Sequence, residues 1–167
     1  MAPSVVYASV MGAVLASIRA VSTSVVVFDT AVVDLTHLLT DPVDVLFGTQ
    51  LGGGTDINKA LAYYQGLIRR PQDTIFVLIS DLYEGGNQDE MIKRAAAIAQ
   101  SGVTAVALLA LDDSGAPGYD HDNAARFATL GIPAFACTPA MFPELMAAAI
   151  KKQDIGQWAA ERAGASK

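Results

Sequence analysis

Residues 74–80, Thr-Ile-Phe-Val-Leu-Ile-Ser, are apolar without a break between two hydroxyl residues, and this run constrains the fold most. A strand with one solvated face alternates apolar and polar side chains, so an unbroken run marks a strand covered on both faces. Residues 103–109, Val-Thr-Ala-Val-Ala-Leu-Leu, predict a second buried strand. Between the two, Gly85-Gly86-Asn87 opens a helix that reaches about residue 100 and stops at Gly102. Helices alternating with buried strands imply an α/β chain: a doubly wound, mostly parallel sheet with helices on both faces.

The remaining elements follow the same reading. A first helix is expected over 4–19, then a β-branched strand over 24–28. Asp29-Thr30 has the spacing of a two-residue hairpin leading into residues 31–35, whose Asp34 suits a partly exposed, antiparallel edge strand. Residues 36–55 are irregular, with a short helix over 42–47. A helix over 56–69 carries Ile57, Leu61, Tyr64 and Ile68 on one stripe and ends before Pro71. A short helix over 123–130 stops at Gly131, a short strand covers 133–136, and Pro139 starts a last helix to about 151. The boundaries expected are one domain over 1–151 and a weakly specified tail over 152–167, in which Trp158 can anchor a terminal helix against the domain or a partner.

Composition narrows the function classes. A formal charge of −6 and a pI near 4.7 argue against a nucleic-acid binder, which needs clustered Lys and Arg. With 52% hydrophobic and 17% charged residues the chain is not globally disordered. Cys137 is alone, so neither an internal disulfide nor a Cys-rich zinc site is available, and a reduced cytoplasmic domain is expected. Residues 1–18 carry no charged side chain, which raises a membrane span or signal peptide. The run has no basic lead-in and contains Ser4, Ser9, Gly12 and Ser17, while Val6, Val10, Val14 and Ile18 recur at helical spacing. A buried amphipathic helix is the preferred reading, with no membrane association.

Topology locates a candidate site. A helix leading into a parallel strand runs opposite to it, so Thr55, heading the helix before strand 74–80, lies near Asp81, just past that strand. Asp29 and Asp112 also follow strand ends and share that edge, where ligands of open α/β sheets bind. A hydroxyl and a carboxylate are hard donors, suited to Mg²⁺, Ca²⁺ or Mn²⁺ rather than zinc. The glycines of Gly52-Gly53-Gly54-Thr55-Asp56 let backbone approach an ion or phosphate; equally, the segment is an ordinary helix entry with Thr55 or Asp56 as N-cap. It is neither a Walker A loop, since Lys59 falls too late, nor a G-x-G-x-x-G fingerprint.

Other polar residues have plainer readings. Asp29 can accept a hydrogen bond behind a metal ligand, but a turn aspartate is preferred. Glu84 is balanced between contact with a partner and simple solvation. Asp112, Asp113, Asp120 and Asp122 with His121 suggest a second cation site, yet their Gly- and Pro-rich setting favours a solvated loop. His37 and His121 lack partners at metal-binding spacing, and Cys137 beside an apolar strand reads as an inert thiol.

Taken together, Val25-Val26-Val27-Phe28-Asp29, Gly53-Gly54-Thr55-Asp56-Ile57 and Ile79-Ser80-Asp81 resemble the von Willebrand factor A (VWA) domain over residues 1–151. Thr138-Pro139 followed by Phe142-Pro143-Glu144-Leu145-Met146 is similar to its bacterial CoxE-like branch. The resemblance implies a metal-ion-dependent adhesion site made of D-x-S-x-S after a first strand, a Thr in a Gly-rich loop and an Asp after the fourth strand. Thr55 matches the second part and Asp81 the third; the D-x-S-x-S part has no counterpart in the sequence. The resemblance therefore implies that the central first strand lies upstream and that this chain is a fragment, a divergent short protein being the alternative. With that strand missing, an open sheet edge invites poor solubility or self-association, and Mg²⁺, which demands near-octahedral oxygens, binds weakly or not at all.

The function so implied is a non-catalytic protein-interaction module. Thr55 and Asp81 would hold the ion; Asp29, Gly53, Gly54 and Glu84 would support it or meet the partner; a partner carboxylate would complete the coordination. The resemblance further implies a partner of the MoxR-type AAA+ ATPase class, in complex assembly or metal-centre maturation. The rival is a phosphate- or nucleotide-handling α/β enzyme using Gly52–Gly54 and Asp81, against which stands the lack of a Lys, Arg or His near either motif. A purely structural dimerisation domain is a third reading.

Overall fold

Two β-branched triplets, Val26–Phe28 (β1) and Val32–Asp34 (β2), form an antiparallel ladder with Val27 opposite Val33. The computed structural model describes residues 17–19, 21–39, 55–109, 118–138 and 140–165, with Val10 and Val14. The connection is one residue longer than the two-residue hairpin expected. Asp29 accepts the Ala31 N–H on Oδ1 (2.7 Å) while its own N–H donates to the Ala31 carbonyl (2.9 Å), so the side chain closes a three-residue turn. At the far end Asp34 accepts from the Thr36 N–H (2.9 Å) and the Tyr63 hydroxyl (2.7 Å), and hydrogen bonds from Thr36 and Tyr63 hold its carboxyl below the usual 3.8.

The unbroken apolar runs form a separate parallel sheet. β3 (Ile75–Ser80), β4 (Thr104–Leu109) and β5 (Ala134–Ala136) lie in that order, with Ile75 opposite Thr104 and Ala107 opposite Ala134. Each face supports its own core, as a two-sided strand requires. Phe76 and Leu78 pack with Ile57, Met91, Ile98 and Phe127 from α1 (Ile57–Leu67), α2 (Gln88–Gln100) and α3 (His121–Thr129). Val106 and Leu108 point the other way, into Phe142, Leu145 and Met146 of α4 (Phe142–Ile150), with Val14 and Ile18 packed beside them. The helix stops fall where glycine is needed: Gly102 and Gly131 both have positive φ.

The segment read as a tail is helix α5 (Ile155–Ala165), and it belongs to the second core. Ile155 and Trp158 are buried there, and Arg162 lies 4.5 Å over the Trp158 ring while pairing with Glu144 at 2.7 Å. The architecture is thus the α/β fold expected, with five α-helices among the described residues. Its sheet is in two parts, and among the described residues β1 and β3 make no ladder with each other. Helix α1 joins the parts. Lys59 Nζ donates to the Thr30 carbonyl (3.0 Å), Tyr63 reaches Asp34, and Tyr64 meets Phe76 edge-on at 4.9 Å. No helix among the described residues is long and apolar enough to cross a membrane. The expected helix over 42–47 and most of the one over 4–19 lie outside the described residues.

Candidate functional site

The C-terminal ends of β1 and β3 and the N-termini of α1 and α3 meet at one rim, tied by short backbone bonds. Asp56 N–H donates to the Asp29 carbonyl (2.9 Å), Gly85 N–H to the Thr55 carbonyl (2.7 Å), and Asp120 N–H to the Asp81 carbonyl (2.8 Å). Thr55 and the Asp81 turn therefore lie on adjoining segments, as the antiparallel run of helix and strand requires. A Cβ on Gly85 would sit 2.8 Å from the Thr55 carbonyl oxygen, so only glycine permits this approach. Gly53 and Gly54 lie outside the described residues, as do Gly52, Asp112 and Asp113.

The choice between Thr55 and Asp56 as N-cap is resolved by geometry. Asp56 Oδ1 accepts the Lys59 N–H at 2.8 Å, the bond a capping carboxylate makes. The Thr55 hydroxyl makes no hydrogen bond with another described residue, so it is not committed to starting the helix. Glu84 has a definite structural task. Its carboxylate accepts from Ile57 N–H (3.2 Å), Asn58 N–H (2.7 Å) and Gly86 N–H (2.8 Å), clamping the end of α1 to the loop after β3. Negative charge at a helix N-terminus is favoured by the helix dipole. Asp29 serves the hairpin turn through Oδ1 and is buried, and its carbonyl receives α1.

Asp81 projects from an unusual turn. The next residue, Leu82, is fully buried and has φ 63, a left-handed conformation that costs a side chain with a Cβ about 1–2 kcal/mol. Three bonds offset that strain: Ser80 Oγ accepts the Leu82 N–H (3.0 Å), Asn123 Nδ2 donates to the Leu82 carbonyl (2.9 Å), and Asp120 N–H holds the Asp81 carbonyl. Asp81 Oδ1 accepts the Tyr83 N–H at 3.2 Å. Sequence reasoning gives Leu82, Gly85 and Asn123 no part in the site: Ser80 enters only within the Ile79-Ser80-Asp81 motif, and Gly85-Gly86 only as the opening of α2.

Chemically the rim is acidic: its segments bring Asp29, Asp56, Asp81, Glu84 and Asp120 together with Lys59. The donors fit a hard divalent cation in kind, a hydroxyl at Thr55 and a carboxylate at Asp81. They do not fill an octahedron, and among the described residues no three His, Cys, Asp or Glu side chains are grouped to hold a metal. Asp120 caps α3 by accepting the Asn123 N–H (2.9 Å), and His121 stacks on Tyr119 at 4.2 Å. Cys137 is buried in the core that α4 and α5 close, and burial pushes its thiol up to about 11.

Comparison with known proteins adds to this geometry. Residues 1–146 match the family described as "VWA domain containing CoxE-like protein". A curated relative, "Uncharacterized protein YehP" of Escherichia coli (strain K12), is 40% identical over 139 residues, covering 83% of this chain. The chain spans 37% of the length of that relative. No solved structure matches.

Proposed function

This chain belongs to the CoxE-like VWA family, and from that premise we propose that it is a non-catalytic module that binds a protein partner through a divalent cation held weakly at an incomplete site on the Thr55–Asp81 rim. The Thr55 hydroxyl and the Asp81 carboxylate would hold Mg²⁺, or Mn²⁺ or Ca²⁺, and water would occupy positions the protein leaves open. The ion would supply a Lewis-acidic bridge through which an acidic protein, net charge −6, attracts a partner's carboxylate. Glu84 and Gly85 keep the two donor segments in register, and the Asp29 carbonyl holds the Thr55–Asp56 segment through the Asp56 N–H. The partner class proposed is a MoxR-type AAA+ ATPase, with the module acting in assembly of its target complexes.

One observation carries this reading: the Gly85 N–H to Thr55 carbonyl bond of 2.7 Å, which seats a hydroxyl-bearing and a carboxylate-bearing segment side by side. The experiment is capture of a purified MoxR-type ATPase by this protein in millimolar Mg²⁺ and in chelator. Chelation and Asp81→Ala should each weaken binding about 30-fold or more, on the scale of about 2 kcal/mol for losing a desolvated charge contact. Capture that is indifferent to both treatments contradicts the proposal.

A further inference from the structure

Asn123 is the most deeply buried polar side chain near the rim, at 0% exposure, and it does not belong to the residues proposed as donors. It stands in the first turn of α3, where an asparagine normally faces solvent. Here Nδ2 reaches across to the Leu82 carbonyl at 2.9 Å, and Oδ1 finds no hydrogen-bond partner among the described residues. An unsatisfied buried acceptor is unfavourable, so the chain tolerates it only for what the other end of the amide does. What it does is hold a left-handed leucine whose N–H is simultaneously tied back to Ser80 Oγ at 3.0 Å. The left-handed φ at Leu82 fixes the backbone conformation directly after Asp81 and so bears on where that carboxylate emerges.

We infer that Asn123 is a positioning residue for Asp81, acting through the left-handed turn at Leu82. This rests on the cation reading above for its purpose, but the turn itself is measurable without any ion. Asn123 is anchored by its own N–H to the Asp120 cap (2.9 Å), and Asp120 N–H holds the Asp81 carbonyl (2.8 Å). The start of α3 therefore grips the turn at two successive carbonyls, those of Asp81 and Leu82.

Asn123→Leu tests this, because it removes the donor and the orphaned acceptor together while keeping the branched heavy-atom skeleton. Two readouts are taken on the full chain: amide hydrogen exchange at Leu82, and Mn²⁺ affinity by electron paramagnetic resonance. The expected result is Leu82 exchange at least tenfold faster and Mn²⁺ affinity about tenfold weaker, with cooperative unfolding retained at a lower midpoint because the Leu82 carbonyl loses its donor; Asn123→His, which can still donate to the carbonyl, should recover part of both. Unchanged exchange, or faster exchange with unaltered Mn²⁺ affinity, overturns the positioning role. Wild-type protein that binds no Mn²⁺ sinks the cation reading instead, and the exchange result then decides alone whether Asn123 sets the turn.

Discussion

Phe127→Ala should cost the fold about 3–5 kcal/mol, the usual range for truncating a fully enclosed aromatic. Phe127 is 1% exposed and sits with Leu82, Met91 and Ile132 in the core beneath β3 and β4. Its helix α3 is short, so little else can collapse into the space. For a chain of this length the loss should lower the melting temperature by about 10 °C. Calorimetry and urea unfolding check it, with an unchanged denaturant slope expected because the surface exposed on unfolding is the same. A shift under about 1 kcal/mol would mean that α3 does not close this core. Since α3 carries Asn123 and is capped by Asp120, the loosened variant should lose rim order before it loses global structure.

Glu84→Ala should destabilise by about 2–4 kcal/mol, summing the loss of charge-assisted bonds and the exposure of helix N–H groups. Three backbone N–H groups, of Ile57, Asn58 and Gly86, lose their acceptor at once. The effect should be local first. Amide exchange at Ile57 and Asn58 should quicken far more than at Leu78 in β3, because only α1's first turn and the loop after Asp81 depend on this carboxylate. Glu84→Gln keeps one acceptor oxygen and should recover a part of the loss. Uniform destabilisation across α1 and β3 would show that Glu84 is not the clamp the geometry indicates.

Much of the fold is legible in the sequence because burial on both faces leaves a strand no polar positions. Residues 75–80 and 104–109 announce themselves in this way, and Gly102 and Gly131 announce the helix stops by the backbone conformation they allow. The joint position of Thr55 and Asp81 follows from topology alone, with no motif needed. What is not legible depends on contacts distant in sequence. Glu84 bonds residues 26 and 27 positions away, so no local pattern separates it from a solvated glutamate. Leu82 adopts a left-handed turn without a glycine to signal it, and the reason, Asn123, lies 41 residues on. Helix α5 is weakly patterned because two side chains, Ile155 and Trp158, supply its burial. The hairpin is longer than its spacing suggests because the Asp29 carboxylate acts as part of the backbone of the turn.

Crystals soaked in MnCl₂ can locate, by anomalous scattering, a cation held between the one hydroxyl and the one carboxylate. The predicted result is a peak within about 2.0–2.6 Å of both Thr55 Oγ1 and an Asp81 carboxylate oxygen, the bond range of hard cations to oxygen, absent from Asp81→Ala crystals. No peak at the rim, or manganese bound by other residues while Thr55 and Asp81 stay bare, would contradict it.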